Sequence, residues 1–276
     1  MRDPFFLRLE KVVADRGPMC VGLDPSKALL AEWGLDDDAA GVERLVLTTI
    51  DAVADRIGIV KPQVAFFERH GAAGFAVLER ALAHAHAAGL LTIADAKRGD
   101  IQPTNEGYAD AWLRDTSPLA ADAMTVTCYL GAGALSPNFA LAHATGRGVF
   151  AVAASSNPEG RRLQEAIVDG HMKVETALLA ELDSINASLD DDGPAVRCVG
   201  AVIGATRLPE GLAAFDGPVL VTGVGAQGAA ADDVRALRAT IRHNAVAVNV
   251  ARSVLAAGPS PAALAAAAAR FADDLG

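Results

Sequence analysis

The sequence predicts an α/β fold, with residues 1–276 forming one domain built as a single (β/α)8 barrel. Two observations predict it. Eight short, almost uninterrupted apolar runs recur along the chain, and Ala-, Leu- and Glu-rich segments of helical periodicity lie between them. Strands that are apolar on both faces belong to parallel sheets covered by helices. Eight such units in 276 residues fit the length of one closed barrel of the TIM type. A doubly wound open sheet is the main alternative.

In chain order the runs are MCVGLD from Met19, IGIVKP from Ile57, LLTIAD from Leu90 and AMTVT from Ala123. They continue with GVFAVAA from Gly148, CVGAVIG from Cys198, PVLVTG from Pro218 and AVAVNV from Ala245. Helical periodicity covers Ala39 to Ala54, Ala72 to Ala88, Asn105 to Arg114, Val174 to Ala187 and Ala230 to Arg242. A last helix opens with Ser260 as N-cap and Pro261 at the first helical position. After the fifth run, SSNPEGRRLQEAIVDGHMK is longer than a barrel connection needs, and its Pro, Gly and charges predict an exposed loop over the site, about residues 155–173.

A hydrophobic content of 51% supports a large core. The net charge is −10 and the basic residues are scattered, which argues against nucleic acid or an anionic membrane as partner. A small anionic ligand stays compatible, because local fields decide its binding. Cys20, Cys128 and Cys198 are odd in number, far apart and without metal-ligand spacing, so a cytoplasmic protein without disulfides is expected. The first ten residues, MRDPFFLRLE, carry charges and no apolar signal core, and AALAAAAARFADDL near the end is too short to span a bilayer.

In a barrel of this kind the active site lies at the C-terminal ends of the strands, so polar residues there are the functional candidates. Asp24 ends the first run, Lys61 the second, Asp95 and Lys97 the third, and Thr125 and Thr127 the fourth. Ser155, Ser156 and Asn157 follow the fifth, Gly223 to Gly228 with Gln227 the seventh, and Asn249 and Arg252 the eighth. The stretch TIADAKRGDI is the densest. Strand alternation puts Ile93, Asp95 and Lys97 on one face, and a turn at Gly99 carries Asp100 away, toward the same pocket from elsewhere or toward a neighbouring subunit. An ion-pair cluster alone would explain an isolated D-x-K-x-x-D. With Asp24 and Lys61 at other strand ends, the charges form an alternating acid–lysine network that keeps the lysines protonated.

GVGAQG at 223–228 matches G-x-G-x-x-G, but the acid and further strands that a dinucleotide fold needs are missing after it. Its glycines suit instead the phosphate site that barrels build after strands seven and eight, with Arg252 as a cation for it. Ser155 to Asn157 are either a polar turn or hydrogen-bonding groups for a heterocycle. His70, His84, His86, His143, His171 and His243 show no metal-ligand spacing and are expected on the solvated surface, with His70 the one nearest the site. Trp33, Trp112, Tyr108 and Tyr129 are expected to pack.

Together DAKRGDI, VGLDPS, VKPQVAFFE, SSNPEG and GVGAQG with a later arginine resemble, in this order, the orotidine 5′-phosphate decarboxylase family, in its longer bacterial branch. The resemblance runs over the whole chain. It implies decarboxylation of orotidine 5′-phosphate to UMP with no cofactor and no metal. It further implies that Lys97 protonates C6, with Asp95, Lys61 and Asp100 completing the charge network. Asp100, Ile101 and Thr104 would reach the partner subunit's site, making the protein a homodimer. Asp24 and Lys61 would meet the ribose hydroxyls, Ser156 the pyrimidine, and Gln227 and Arg252 the phosphate. Two departures stand out: SSN replaces the familiar TSN, and Ala251 precedes Arg252 where glycine is common. The nearest rival is a Mg2+-dependent sugar-phosphate barrel that shares D-x-K-x-x-D, but such sites end strand two in an acid, where this chain has Lys61. A non-catalytic phosphate-ligand barrel is the rival of a different class.

Overall fold

A computed structural model describes residues 2–189, 197–225 and 228–276. Five parallel strands come first: β1 (Met19–Leu23), β2 (Ile59–Pro62), β3 (Leu91–Arg98), β4 (Ala123–Val126) and β5 (Gly148–Ala154). Next, β6 (Ile167–Val168) and β7 (Met172–Lys173) pair only with each other, as an antiparallel hairpin. Three more parallel strands follow, β8 (Val199–Gly204), β9 (Val219–Thr222) and β10 (Val246–Val250). The eight parallel strands close into a barrel when β10 pairs with β1, Cys20 opposite Asn249. Each apolar run of the sequence holds one barrel strand, and the parallel sheet is closed rather than open and doubly wound.

The two-residue period of each strand divides the core in two. Side chains pointing outward, among them Val21, Val60, Ala94, Met124 and Val149, pack under the surrounding helices. Those pointing inward, including Cys20, Ile59, Ile93, Ala123, Phe150, Val202, Leu220 and Ala247, form a second apolar cluster inside the barrel. A helix over Phe5–Arg16, not expected from periodicity, closes the N-terminal end: Phe5, Phe6, Leu9 and Val13 join the inner cluster, and Phe5 meets Phe150 edge to face at 5.7 Å. Because the lower barrel is filled, only its C-terminal mouth is open for chemistry.

The expected helices appear as Ala39–Val53, Gly71–Ala87, Thr104–Leu113, Val174–Leu189, Ala231–Thr240 and Pro261–Leu275. Ser260 occupies the N-cap position of the last, yet its side chain makes no capping hydrogen bond. Ser136–Thr145 adds a helix that the sequence reading lacked. Between β8 and β9 the described chain forms turns rather than a helix, because Pro209, Gly211 and Gly217 interrupt any helical period, while Leu212 and Phe215 still fill the space against the barrel. The stretch expected as a loop at 155–173 is partly ordered: a helical turn at Arg161–Gln164 leads into the β6–β7 hairpin.

His86 and His171 are exposed as expected, whereas His70 and His243 are partly buried against the scaffold. His86 contacts Thr92 Oγ1 at 2.9 Å and Asp122 Oδ2 at 3.1 Å, in a network where Asp122 also accepts from the Thr92 N–H and from Arg8. His243 meets Phe6 edge to face at 5.0 Å, and the buried ring edge of His70 faces Asp37. Trp33 and Trp112 are buried and Tyr108 lies under the Arg98 guanidinium, but Tyr129 is 81% exposed rather than packed. All three cysteines are free thiols.

Candidate active site

The interior face that is apolar at the bottom of the barrel turns polar one layer higher. Continuing the alternation upward from Cys20, Ile59, Ile93, Ala123 and Ala247 reaches Gly22, Lys61, Asp95, Thr125 and Asn249. Lys61, Asp95, Thr125 and Asn249 border a cavity of about 380 Å³ at the C-terminal mouth, which Asp24, Gln63, Lys97, Ser156, Gly223 and Arg252 also line.

Asp95 is the hub. It is 6% exposed, and its two oxygens are divided between two ammonium groups, Oδ2 at 2.7 Å from Lys61 Nζ and Oδ1 at 2.6 Å from Lys97 Nζ. Thr125 donates its hydroxyl to the same Oδ1 at 2.8 Å and accepts the Lys97 backbone N–H at 2.9 Å. Burial by itself would raise the Asp95 carboxyl, but the charges of Lys61 and Lys97 outweigh it and hold the group well below the usual carboxylate range. The converse holds at Lys61. Burial would lower its ammonium, yet Asp95 and Asp24 raise it well above the ordinary lysine value. Asp24 is where burial prevails, lifting its carboxyl against the pull of Lys61.

Lys61 is 2% exposed, so it is a fixed buried cation, whereas the Lys97 side chain is 47% exposed toward the cavity. Lys97 also carries φ +47°, a left-handed conformation that a lysine adopts only where its surroundings impose it. The register of β3 against β4 shifts between Ala94 and Arg98, and the Thr125 hydroxyl holds the displaced backbone. The Lys97 amine is thereby presented to the cavity beside the Asp95 carboxyl.

Of the residues singled out in the sequence, Asp24, Lys61, Asp95, Lys97, Ser156 and Arg252 come together around this cavity. Arg252 is exposed and makes no ion pair among the described residues. Gln227 lies outside the described residues. Gly223, Gly225 and Gly228 all take left-handed φ, 85°, 74° and 93°, so this loop turns in a way that other residues resist. Asp100, Ile101 and Thr104 do not line the cavity. Asp100 Oδ1 instead accepts the Ile101 N–H at 2.7 Å, and Ile101 is 60% exposed. Sequence reasoning noted Thr125 without giving it a task, and it passed over Gln63, whose Oε1 lies 3.4 Å from Lys61 Nζ. The signal for Gln63 was available, since it stands two residues beyond Lys61 on the same strand face. Among the described residues, no three His, Cys, Asp or Glu side chains gather as a metal-holding group.

A profile of the orotidine 5′-phosphate decarboxylase / HUMPS family matches residues 17–268. The chain belongs to that family. An orotidine 5′-phosphate decarboxylase of Salinispora arenicola is 48% identical over 99% of this chain and 97% of its own length. One from Streptomyces coelicolor is 46% identical, again over 99% and 97%. Among solved structures, a Streptomyces avermitilis protein provisionally described as an orotidine 5′-phosphate decarboxylase superposes with a TM-score of 0.88 at 46% identity, covering 99% of this chain and 95% of that one. Family membership accounts for the order of the motifs. The geometry above states what those motifs do physically, a buried acid clamped between two lysines at a barrel mouth.

Proposed function

We propose that this barrel decarboxylates orotidine 5′-phosphate to UMP in pyrimidine biosynthesis, without a cofactor, and that Lys97 is its acid. As a family member closely similar over its whole length to named decarboxylases, the chain is a carboxy-lyase. One observation carries the finer reading: the Lys97 ammonium stands 2.6 Å from Asp95 with its side chain 47% exposed at the cavity, while Lys61 on the other side of Asp95 is buried in the wall at 2%.

In the proposed step the bond from C6 to the carboxylate carbon breaks, its electron pair stays on C6, and CO2 departs. That pair lies in the ring plane, out of reach of the π-system. A fixed ammonium is therefore both the electrostatic stabiliser and the proton source, and Lys97 delivers its proton to C6. Asp95 and Lys61 keep that ammonium charged and in place. Ser156 is read as a contact of the pyrimidine and Asp24 of the ribose. Arg252 and the glycine loop, with Gln227, are read as the phosphate end, whose binding energy holds the ring against Lys97.

Asp100, Ile101 and Thr104 are proposed to complete the site of a second copy in a homodimer. What supports this is their position outside their own cavity, next to an apolar surface where Ile101, Tyr129 and Leu130 are 60%, 81% and 54% exposed. Mixing inactive Lys97→Ala and Asp100→Ala subunits then restores part of the activity, because one hybrid site is intact. No recovery after demonstrated subunit exchange would place Asp100 in its own subunit's site.

The central test is an orotidine 5′-phosphate decarboxylation assay with and without EDTA. Undiminished turnover in chelator is expected; loss of turnover would sink the metal-free mechanism.

A further inference from the structure

Two polar atoms of the cavity wall are left without partners. Asp24 Oδ1 and Asn249 Oδ1 are both buried, and neither makes a hydrogen bond among the described residues. They crowd the same point, since a Cβ on Gly22 would stand 3.0 Å from Asn249 Oδ1 and 3.2 Å from Asp24 Oδ1. Glycine at position 22 is what leaves them room. Cys20 faces Asn249 in the barrel ladder, and Cys20, Gly22 and Asp24 share one face of the first strand and its extension, so the Asn249 side chain reaches over Gly22 toward Asp24.

Two acceptor oxygens that border the same small space repel, and a buried acceptor without a donor is rare because nothing replaces its lost water. An amide has its donor and its acceptor in interchangeable positions, and the surrounding hydrogen bonds decide between them. Half a turn of the Asn249 amide puts Nδ2 where Oδ1 stands. The carboxylate then has a donor, and the amide oxygen faces the open cavity.

We propose that Asn249 donates this hydrogen bond to Asp24 and acts as a positioning residue, locking the carboxylate so that its second oxygen meets the ribose. The inference rests on the nucleotide reading above, in which Asp24 contacts a ribose hydroxyl. It assigns a task to a β10 residue that makes no hydrogen bond among the described residues, and it fixes the orientation of the Asp24 carboxyl in the wall where it is buried.

The test compares UMP with 2′,3′-dideoxyuridine 5′-monophosphate, by calorimetric titration of the wild type and of Asn249→Leu, a replacement of similar size without a donor. Wild type binds UMP more tightly than the dideoxy analogue. In Asn249→Leu the UMP affinity falls about tenfold, the scale of one hydrogen bond to a charged group, while the dideoxy affinity stays at the wild-type value. Equal losses for both nucleotides would reveal a general distortion of the pocket, and no loss for either would show that Asp24 needs no such support; both overturn the inference. A wild type that does not distinguish the two nucleotides overturns the ribose contact itself. If Asn249→Leu does not fold, as judged by its melting transition, Asn249→Ala is titrated in the same way with the same criteria.

Discussion

The hydroxyl of Thr125 joins the two parts of the site that must not move relative to each other. It donates to Asp95 Oδ1 at 2.8 Å and accepts the backbone N–H of Lys97 at 2.9 Å. Replacing Thr125 by valine keeps the shape of this buried side chain and removes both bonds. The bond to the carboxylate is worth about 1.5–3 kcal/mol and the one from the neutral backbone about 1 kcal/mol, so the loss is about 2–4 kcal/mol, a fall in Tm of roughly 5–15 °C. Activity is expected to suffer more than these bonds alone suggest. Lys97 is held at φ +47°, and once its N–H is released the backbone relaxes and carries the ammonium off its line. A displacement near 1 Å costs about 100-fold in kcat. The assay is steady-state decarboxylation beside a thermal melt, with Thr125→Ser as the control that retains the hydroxyl and most of the activity. A Thr125→Val enzyme with unchanged kcat and unchanged Tm would refute the view that this hydroxyl sets the Lys97 geometry.

Three further outcomes are expected. Arg252→Ala, which removes the exposed cation at the proposed phosphate end, lowers kcat/KM about 10–100-fold in the same assay while leaving the melting temperature near wild type. Asp122→Asn, in the buried network below the site, costs about 3–5 kcal/mol at pH 7 in urea unfolding, because Arg8 and His86 lose their carboxylate. Burial would raise the Asp122 carboxyl, but the His86 hydrogen bond and Arg8 hold it far below the usual range, so the unfolded chain binds the extra proton and stability rises with pH. The difference between wild type and variant is therefore full above the unfolded Asp value of about 3.9 and closes as pH falls below it; a gap independent of pH would contradict the assignment. Arg207→Met leaves Glu175, 3% exposed, without its cation and frees Glu165, so trypsin cleaves the 155–173 segment at Arg161 and Arg162 faster than in wild type.

The strand pattern and the strand ends were legible in the chain because they depend on local regularities. Parallel buried strands are apolar throughout, their side chains alternate with a period of two, and a closed barrel of such strands has one open rim. That is why Asp24, Lys61, Asp95, Lys97 and Arg252 could be named before any contact was known. The Phe5–Arg16 plug was missed because its role is to fill the barrel from below, a task visible only against Phe150 and its neighbours. His86 is exposed as expected, but its contact with Asp122, 36 residues away, could not be read from the chain for a similar reason.

By itself, then, the sequence determined the architecture and the set of charges at the mouth, since residue type and period suffice for both. Tertiary structure decided how those charges are used. It divided Asp95 between two lysines, buried Lys61 in the cavity wall while leaving Lys97 exposed at it, and assigned Thr125 to hold a strained backbone. It also placed the Asn249 and Asp24 oxygens beside the same glycine, Gly22. These are distances across different strands, set by the register and closure of the barrel, and no periodicity within a single strand encodes them.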